Sequence, residues 1–155
     1  MGRKPTALPV GRLTALLALC AGFALANPLL ENAFWQSATP ADVERAARQG
    51  ADVKAMDKDG ATPLHYAARY NGNPEVIALL VRLGAEVNAR AQGGWAPLHT
   101  AAAINGNPEV VLALLELGAD PKARTLDGST AWDLVQRNDR LRGTPAYWRL
   151  NDLRF

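Results

Sequence analysis

Two histidines, one cysteine, two serines and scattered carboxylates are all that this chain offers to chemistry. His65 and His99 could ligate a metal or act as bases, Cys20 could supply a thiolate, and Ser37 and Ser129 could be nucleophiles. Their placement argues against each use. The histidines occupy the same position in consecutive units of a repeat, and equivalent residues of stacked helices lie roughly 8–10 Å apart. A shared ion needs ligand nitrogens about 2 Å away. The serines fall in opposite end segments, with no histidine free to take a proton. Gly93-Gly94 lacks the spaced glycines and lysine of a phosphate-cradling loop, and Asp57 and Asp59 flank a solvated turn where nothing raises a carboxylate pKa. No catalytic residue, metal site or cofactor is expected. A hydrolase or metal enzyme of the cell envelope is the reading from another class.

The elements that position these residues come in a period of 34. Residues 57–90 align without a gap on 91–124 and agree at 18 of 34 positions, including Pro63-Leu64-His65 over Pro97-Leu98-His99. The run Asn71-Gly72-Asn73-Pro74-Glu75-Val76 recurs intact as Asn105-Gly106-Asn107-Pro108-Glu109-Val110. In each unit Thr62 or its equivalent, followed by Pro63, marks a helix start, because an N-cap oxygen accepts a free backbone N–H and proline is pre-set for the first turn. The equivalent of Thr62 one period later is Ala96, which has no such oxygen. Asn73-Pro74 repeats the signal, and Val76, Ile77, Leu79, Leu80 and Leu83 form an apolar stripe on a second helix. Gly84 and Gly118 stop these helices, while Gly60, Gly94 and Gly128 mark turns at the tips of extended connections.

Three pieces of this pattern, Asp57-Lys58-Asp59-Gly60-Ala61-Thr62-Pro63-Leu64-His65-Tyr66-Ala67-Ala68, Glu75-Val76-Ile77 and Leu83-Gly84-Ala85-Glu86-Val87-Asn88-Ala89, together resemble the ankyrin repeat. A tetratricopeptide array shares the period but lacks the Thr-Pro-Leu-His start and the glycine-led finger. The resemblance implies an all-α repeat solenoid of helix-turn-helix units with β-hairpin-like fingers. The usual ankyrin period is 33; the extra residue here sits at Asn71-Gly72 and is expected only to lengthen the inter-helix turn. Stepping by 34 in each direction gives an N-terminal capping repeat, 27–56, with helices at about Pro28–Ser37 and Pro40–Gly50, and a divergent C-terminal one, 125–155, whose second helix starts late, at Pro145. Phe34 and Trp35 in the first, and Tyr147, Trp148, Leu150, Leu153 and Phe155 in the last, read as cap packing.

The resemblance implies a framework role for Thr62, Pro63, Leu64, His65, Pro97, Leu98 and His99. It also implies a concave surface, formed by finger tips and first helices, that binds another protein. Carried over by position, that surface is Met56, Lys58, Asp59, Ala61, Arg69 and Tyr70, then Arg90, Gln92, Gly93, Trp95, Ala103 and Ile104, with Asp127 and Ser129 extending it. Trp, Tyr and Arg are the residue types that dominate binding energy at interfaces. Tyr70 could instead pack over the inter-helix turn, and Trp95 could pack into the stack.

Residues 1–26 have a different character. Arg3 and Lys4, an apolar run from Leu13 to Leu25 and the ending Ala24-Leu25-Ala26 have the layout of a secretory signal peptide cut between Ala26 and Asn27. The run is short for a membrane span. Leu17-Ala18-Leu19-Cys20 resembles a lipoprotein signal, although Leu19 stands where a small residue is normal. Removing Arg3, Lys4 and Arg12 from the 17 basic residues leaves 14 against 15 acids, which excludes the concentrated positive field of a nucleic-acid binder. With 48% hydrophobic and 21% charged residues the chain is composed to bury a core. The expected protein is exported, most simply to the periplasm and otherwise to the medium. It is monomeric, has no span in the mature chain, and acts as scaffold or accessory subunit for another protein, or else as an inhibitor or immunity protein of an exported toxin or enzyme.

Overall fold

The computed structural model describes residues 26–155. The apolar leader and Cys20 lie outside the described residues. Six helices begin with proline at their first position, where its missing N–H is not needed. After a 3-10 turn at Pro28–Leu30, the helices are α1 (Asn32–Trp35), α2 (Pro40–Arg48), α3 (Pro63–Tyr70), α4 (Pro74–Arg82), α5 (Pro97–Ile104), α6 (Pro108–Glu116), α7 (Ala131–Val135) and α8 (Pro145–Asp152). Helices α1, α3, α5 and α7 form one row, and α2, α4, α6 and α8 pack behind them as the second. The core lies between the rows, from Leu29 and Trp35 through Leu64, Leu80, Leu98 and Leu114 to Leu141 and Leu150, all at most 1% exposed. Among the described residues no helix is long and apolar enough to cross a membrane.

The local signals act as their chemistry requires. Asn73 and Asn107 accept from the N–H groups of Glu75 and Glu109 at 2.9 and 3.0 Å, and Thr39 and Thr130 form reciprocal capping boxes with Asp42 and Asp133. Gly84 adopts φ +103°, which lets the Ala85 N–H reach back to the Leu80 carbonyl at 2.9 Å and close the helix end.

The fingers contain no strand among the described residues. Each is a turn closed by a backbone bond, Asp57 N–H to Ala61 O, Ala91 to Trp95 and Thr125 to Ser129. Neighbouring fingers are tied by one backbone bond each, Gln92 N–H to Asp59 O and Leu126 N–H to Gly93 O, both 2.7 Å. One bond per pair is too short a ladder to make a sheet.

Two expectations need correction. The first segment is not one helix from Pro28 to Ser37, because the chain is extended at Glu31, with φ −106° and ψ 128°. That break leaves the Leu29 carbonyl free to accept from the Trp35 indole N–H at 3.0 Å while both side chains are fully buried. At the other end Leu150 is buried, but Trp148 and Phe155 are 56% and 85% exposed and do not pack the cap. Ala146 and Leu150, four apart, define the buried face of α8, so Trp148 between them points away, and Phe155 lies beyond the helix.

The asparagine at the turn after each first helix also joins the unit to the one before it. Asn71, Asn105 and Asn138 are all buried, and each reaches into the preceding unit. The Asn105 amide donates to the carbonyls of Ala68 and Asn71, both at 2.9 Å, and Asn138 does the same to Ala102 and Asn105. Asn71 donates to Trp35 and Ala38. Carbonyls at a helix C-terminus have no partner inside their own helix. Each asparagine therefore supplies the missing donors for the unit before it.

Candidate functional site

The row of first helices and the fingers enclose a groove of about 540 Å³. Its floor comes from α1, α3 and α5 through Asn32, Tyr66, Tyr70, Thr100 and Ile104; its finger wall is Asp57, Asp59, Ala61, Ala91, Gln92 and Trp95, and Arg69 stands at the rim. Ala61 and Trp95 are equivalent positions one period apart, so a small residue in one finger leaves the space that the indole of the next borders.

The structure brings Asp59, Ala61, Arg69, Tyr70, Gln92, Trp95 and Ile104 together around this groove. Met56 and Lys58 are exposed on the first finger, Ala103 is half-buried on α5, and none of the three lines the groove. Arg90 is exposed but engaged: its guanidinium donates to the carbonyls of Gly94 at 2.7 Å and Arg124 at 2.9 Å, bracing the second finger against the third. Arg124 repeats the brace on Gly128 at 2.7 Å. Trp95 is half-buried, edge-on to His99 with ring centres 6.3 Å apart, and Tyr70 is half-buried beneath the Arg69 guanidinium. Tyr66, Thr100 and Asn32 line the groove but were not singled out from the sequence. Tyr66 sits inside the Pro-Leu-His-Tyr-Ala-Ala motif, where its neighbours are all framework residues, and nothing in the motif marks it as facing outward.

The framework histidines hold the groove's finger wall. His65 is 4% exposed, its Nε2 is 3.0 Å from the Trp95 carbonyl, and its Nδ1 is 3.2 Å from the Thr62 N–H and 2.9 Å from the Thr62 hydroxyl. A carbonyl only accepts, so Nε2 carries the proton and Nδ1 accepts. The Thr62 hydroxyl thus donates to histidine and does not, as the sequence suggested, accept from the first-turn N–H groups. His99, fully buried, bridges the Ala96 N–H at 3.1 Å and the Ala123 carbonyl at 2.9 Å, with no hydroxyl beside it. Both ring nitrogens of each histidine have partners within the framework.

Thr62 and Ala96 have almost the same backbone, φ −97° with ψ 166° and 164°, so threonine fits at 96 without strain. Ala96→Thr should add a hydroxyl donor to His99 and raise stability by about 0.5–1.5 kcal/mol, and Thr62→Ala should lower it by a similar amount. Calorimetry on the two variants checks this; a lower melting temperature for Ala96→Thr would contradict the equivalence of the two caps.

Burial holds both histidines below their ordinary pKa of 6.5, against the pull of the carbonyls they face. The unfolded chain therefore takes up protons near pH 6.5 that the folded chain refuses, and stability is full above that pH and declines as pH falls through it. The Thr39 hydroxyl bond and the Thr130 backbone bond hold Asp42 and Asp133 below 3.8, which adds a second loss in stronger acid with the same sign. The melting temperature should fall between pH 7.5 and 5.5 and again below pH 4. A flat or rising profile across the first interval would exclude the neutral framework histidines.

A two-row helical stack with a preformed concave groove and framework histidines held by hydrogen bonds is a repeat scaffold built for recognition. The family model for ankyrin repeats, in three copies, matches residues 15–125, and the chain belongs to the ankyrin-repeat family. Ankyrin repeats are protein–protein interaction modules, a non-catalytic class. The unit formed by α7 and α8 lies largely beyond the matched span, yet it continues both rows of the stack. No curated protein matches the chain.

Proposed function

We propose that this chain is an exported ankyrin-repeat scaffold or accessory subunit that holds an envelope or secreted protein in its concave groove. The observation that carries the reading is where the repeats differ. Pro63, Leu64 and His65 recur as Pro97, Leu98 and His99, whereas Asp59, Ala61, Tyr66, Arg69 and Tyr70, which line the groove, are replaced one period later by Gly93, Trp95, Thr100, Ala103 and Ile104. The one proposed contact position at which successive units agree, Arg90 and Arg124, is the internal brace. A stack held by repeated contacts thus carries one groove of individual shape, already ordered before any partner arrives.

Export is supported by the signal layout of residues 1–26. Just after the expected cut, the Asn27 side-chain amide donates to Asp52 O at 2.7 Å and its Oδ1 accepts from Leu29 N–H at 3.1 Å. The test is affinity capture from envelope extract with tagged protein recovered by osmotic shock, comparing wild type with a Trp95→Ala, Tyr70→Ala double variant. The expected result is a chain starting at Asn27 that retains one stoichiometric partner in the wild type alone. Equal capture by both proteins would move the site off the groove, and an intact Met1 on recovered protein would overturn export.

A further inference from the structure

The groove has an electrical direction. Along the groove-forming helices α1, α3 and α5, Arg69 is the only charged side chain. It makes no ion pair or hydrogen bond among the described residues, whose three ion pairs are Arg45–Asp42, Arg48–Glu44 and Arg142–Asp139. Its guanidinium lies 5.2 Å from the centre of the Tyr70 ring. Stacking occupies the face of a guanidinium and leaves its edge N–H donors free, and that edge is a fork matched to a carboxylate.

The opposite, finger end carries the acids. Asp57 is fully occupied: its carboxylate accepts from the Tyr66 hydroxyl at 2.7 Å and from the Asp59 and Ala61 N–H groups at 2.8 Å each. That bond pushes the Tyr66 phenol up to about 12, so its hydroxyl stays protonated and turned to Asp57. Asp59, at the finger tip, is exposed. Between the two ends the walls are the Tyr66, Tyr70 and Trp95 rings and Ile104.

We propose that the groove takes an extended segment of a partner protein that places a large apolar side chain among these walls and an Asp or Glu side chain on Arg69. The direction of the segment follows from the charges. Its carboxylate lies at the helix end, because at the finger end it would meet Asp57 and Asp59. The inference rests on the groove being the binding surface and adds the chemistry of what it binds.

Phage-displayed random dodecapeptides selected on the purified chain provide the test, with parallel selections on Arg69→Glu. Wild-type selection should enrich an acidic residue at fixed spacing from an aromatic or large aliphatic one. The Arg69→Glu selection should replace that acid with Lys or Arg. A synthetic wild-type winner should bind Arg69→Gln about tenfold more weakly, and Ile104→Ser, an exposed position that spares the core, should weaken it as well. Winners that lose affinity with Ile104→Ser but carry no acid would overturn this inference and leave the groove standing. Winners indifferent to Arg69, Ile104 and Trp95 substitutions would overturn the groove itself. A selection that enriches no peptide would overturn the proposal of a linear segment.

Discussion

Asn105→Asp should unfold this protein at a temperature about 10 °C or more below the wild type, although it exchanges one amide NH2 for an oxygen of nearly the same size. In the native stack the Asn105 amide gives both protons to the carbonyls of Ala68 and Asn71, and its Oδ1 accepts from the Asn107 N–H at 2.9 Å. The residue is 6% exposed, so water does not reach these groups freely. Aspartate keeps the last bond but turns a carboxylate oxygen toward two carbonyls that have lost their donor. Each buried polar group left without a partner costs about 1–3 kcal/mol, and a buried charge facing acceptors costs more, which puts the loss near 3–5 kcal/mol. A domain of this kind has only about 5–15 kcal/mol of stability in total.

Asn105→Ala should fall nearly as far, because it orphans the same two carbonyls. Asn107→Ala, at a half-buried cap whose amide also donates to the Gly72 carbonyl, should cost about 1–2 kcal/mol, because neither group it leaves is as deeply buried. Because Asn105 joins the two full repeats, its loss weakens the coupling between neighbours as well as the units themselves, and the transition should broaden. Calorimetric scans of the three variants decide it. If Asn105→Asp melts within about 2 °C of the wild type, the asparagine row is decoration on a stack held by its apolar core alone.

Trp95→Ala should weaken partner binding by about 30-fold, the equivalent of the 2 kcal/mol or more that a well-placed aromatic anchor contributes. The indole borders the groove opposite the space left by Ala61, while its far side rests on Gly93, where an added Cβ would lie 3.1 Å from the ring. The Trp95 backbone has other duties: its carbonyl accepts from His65 and from the Ala91 N–H at 2.8 Å. Alanine preserves those bonds, so the finger keeps its shape and only the half-buried ring is lost. The melting temperature should therefore drop by only a few degrees, on the order of 1 kcal/mol, and binding should fall by much more than stability explains. Arg90→Ala is the informative contrast. It removes a brace between fingers and should lower stability while affecting binding only indirectly. Titration calorimetry with the captured partner separates the two. If Arg90→Ala abolishes binding and Trp95→Ala leaves it intact, the contact surface runs along the outer finger edge and not through the groove.

Within the two full repeats the helix starts and stops were legible in the linear sequence, because each is produced by residues within four positions of one another. Proline after threonine or asparagine opens α2, α3, α4 and α6, and Gly50, Gly84 and Gly118 close helices in the left-handed conformation. These are local backbone effects, and they repeat wherever their residues repeat. Which positions of successive units face the same way was legible as well, since the period fixes it, but not which of them line the groove.

Tertiary structure decided what those positions do. Nothing local distinguishes Arg69 from Arg90; one stands free over a tyrosine ring, and the other is bonded to carbonyls of its own finger and of the next. Nothing local marks Asn71 as more than a turn residue, since the carbonyls it satisfies lie 33 and 36 residues earlier. The single helix expected at Pro28–Ser37 is interrupted at the extended Glu31, and the Leu29 carbonyl freed there accepts from the Trp35 indole with both side chains buried. Hydrogen bonds and packing across a repeat boundary depend on the distance between units in space, and a pattern read along one chain carries the spacing of residues but not the partners that stacking brings beside them.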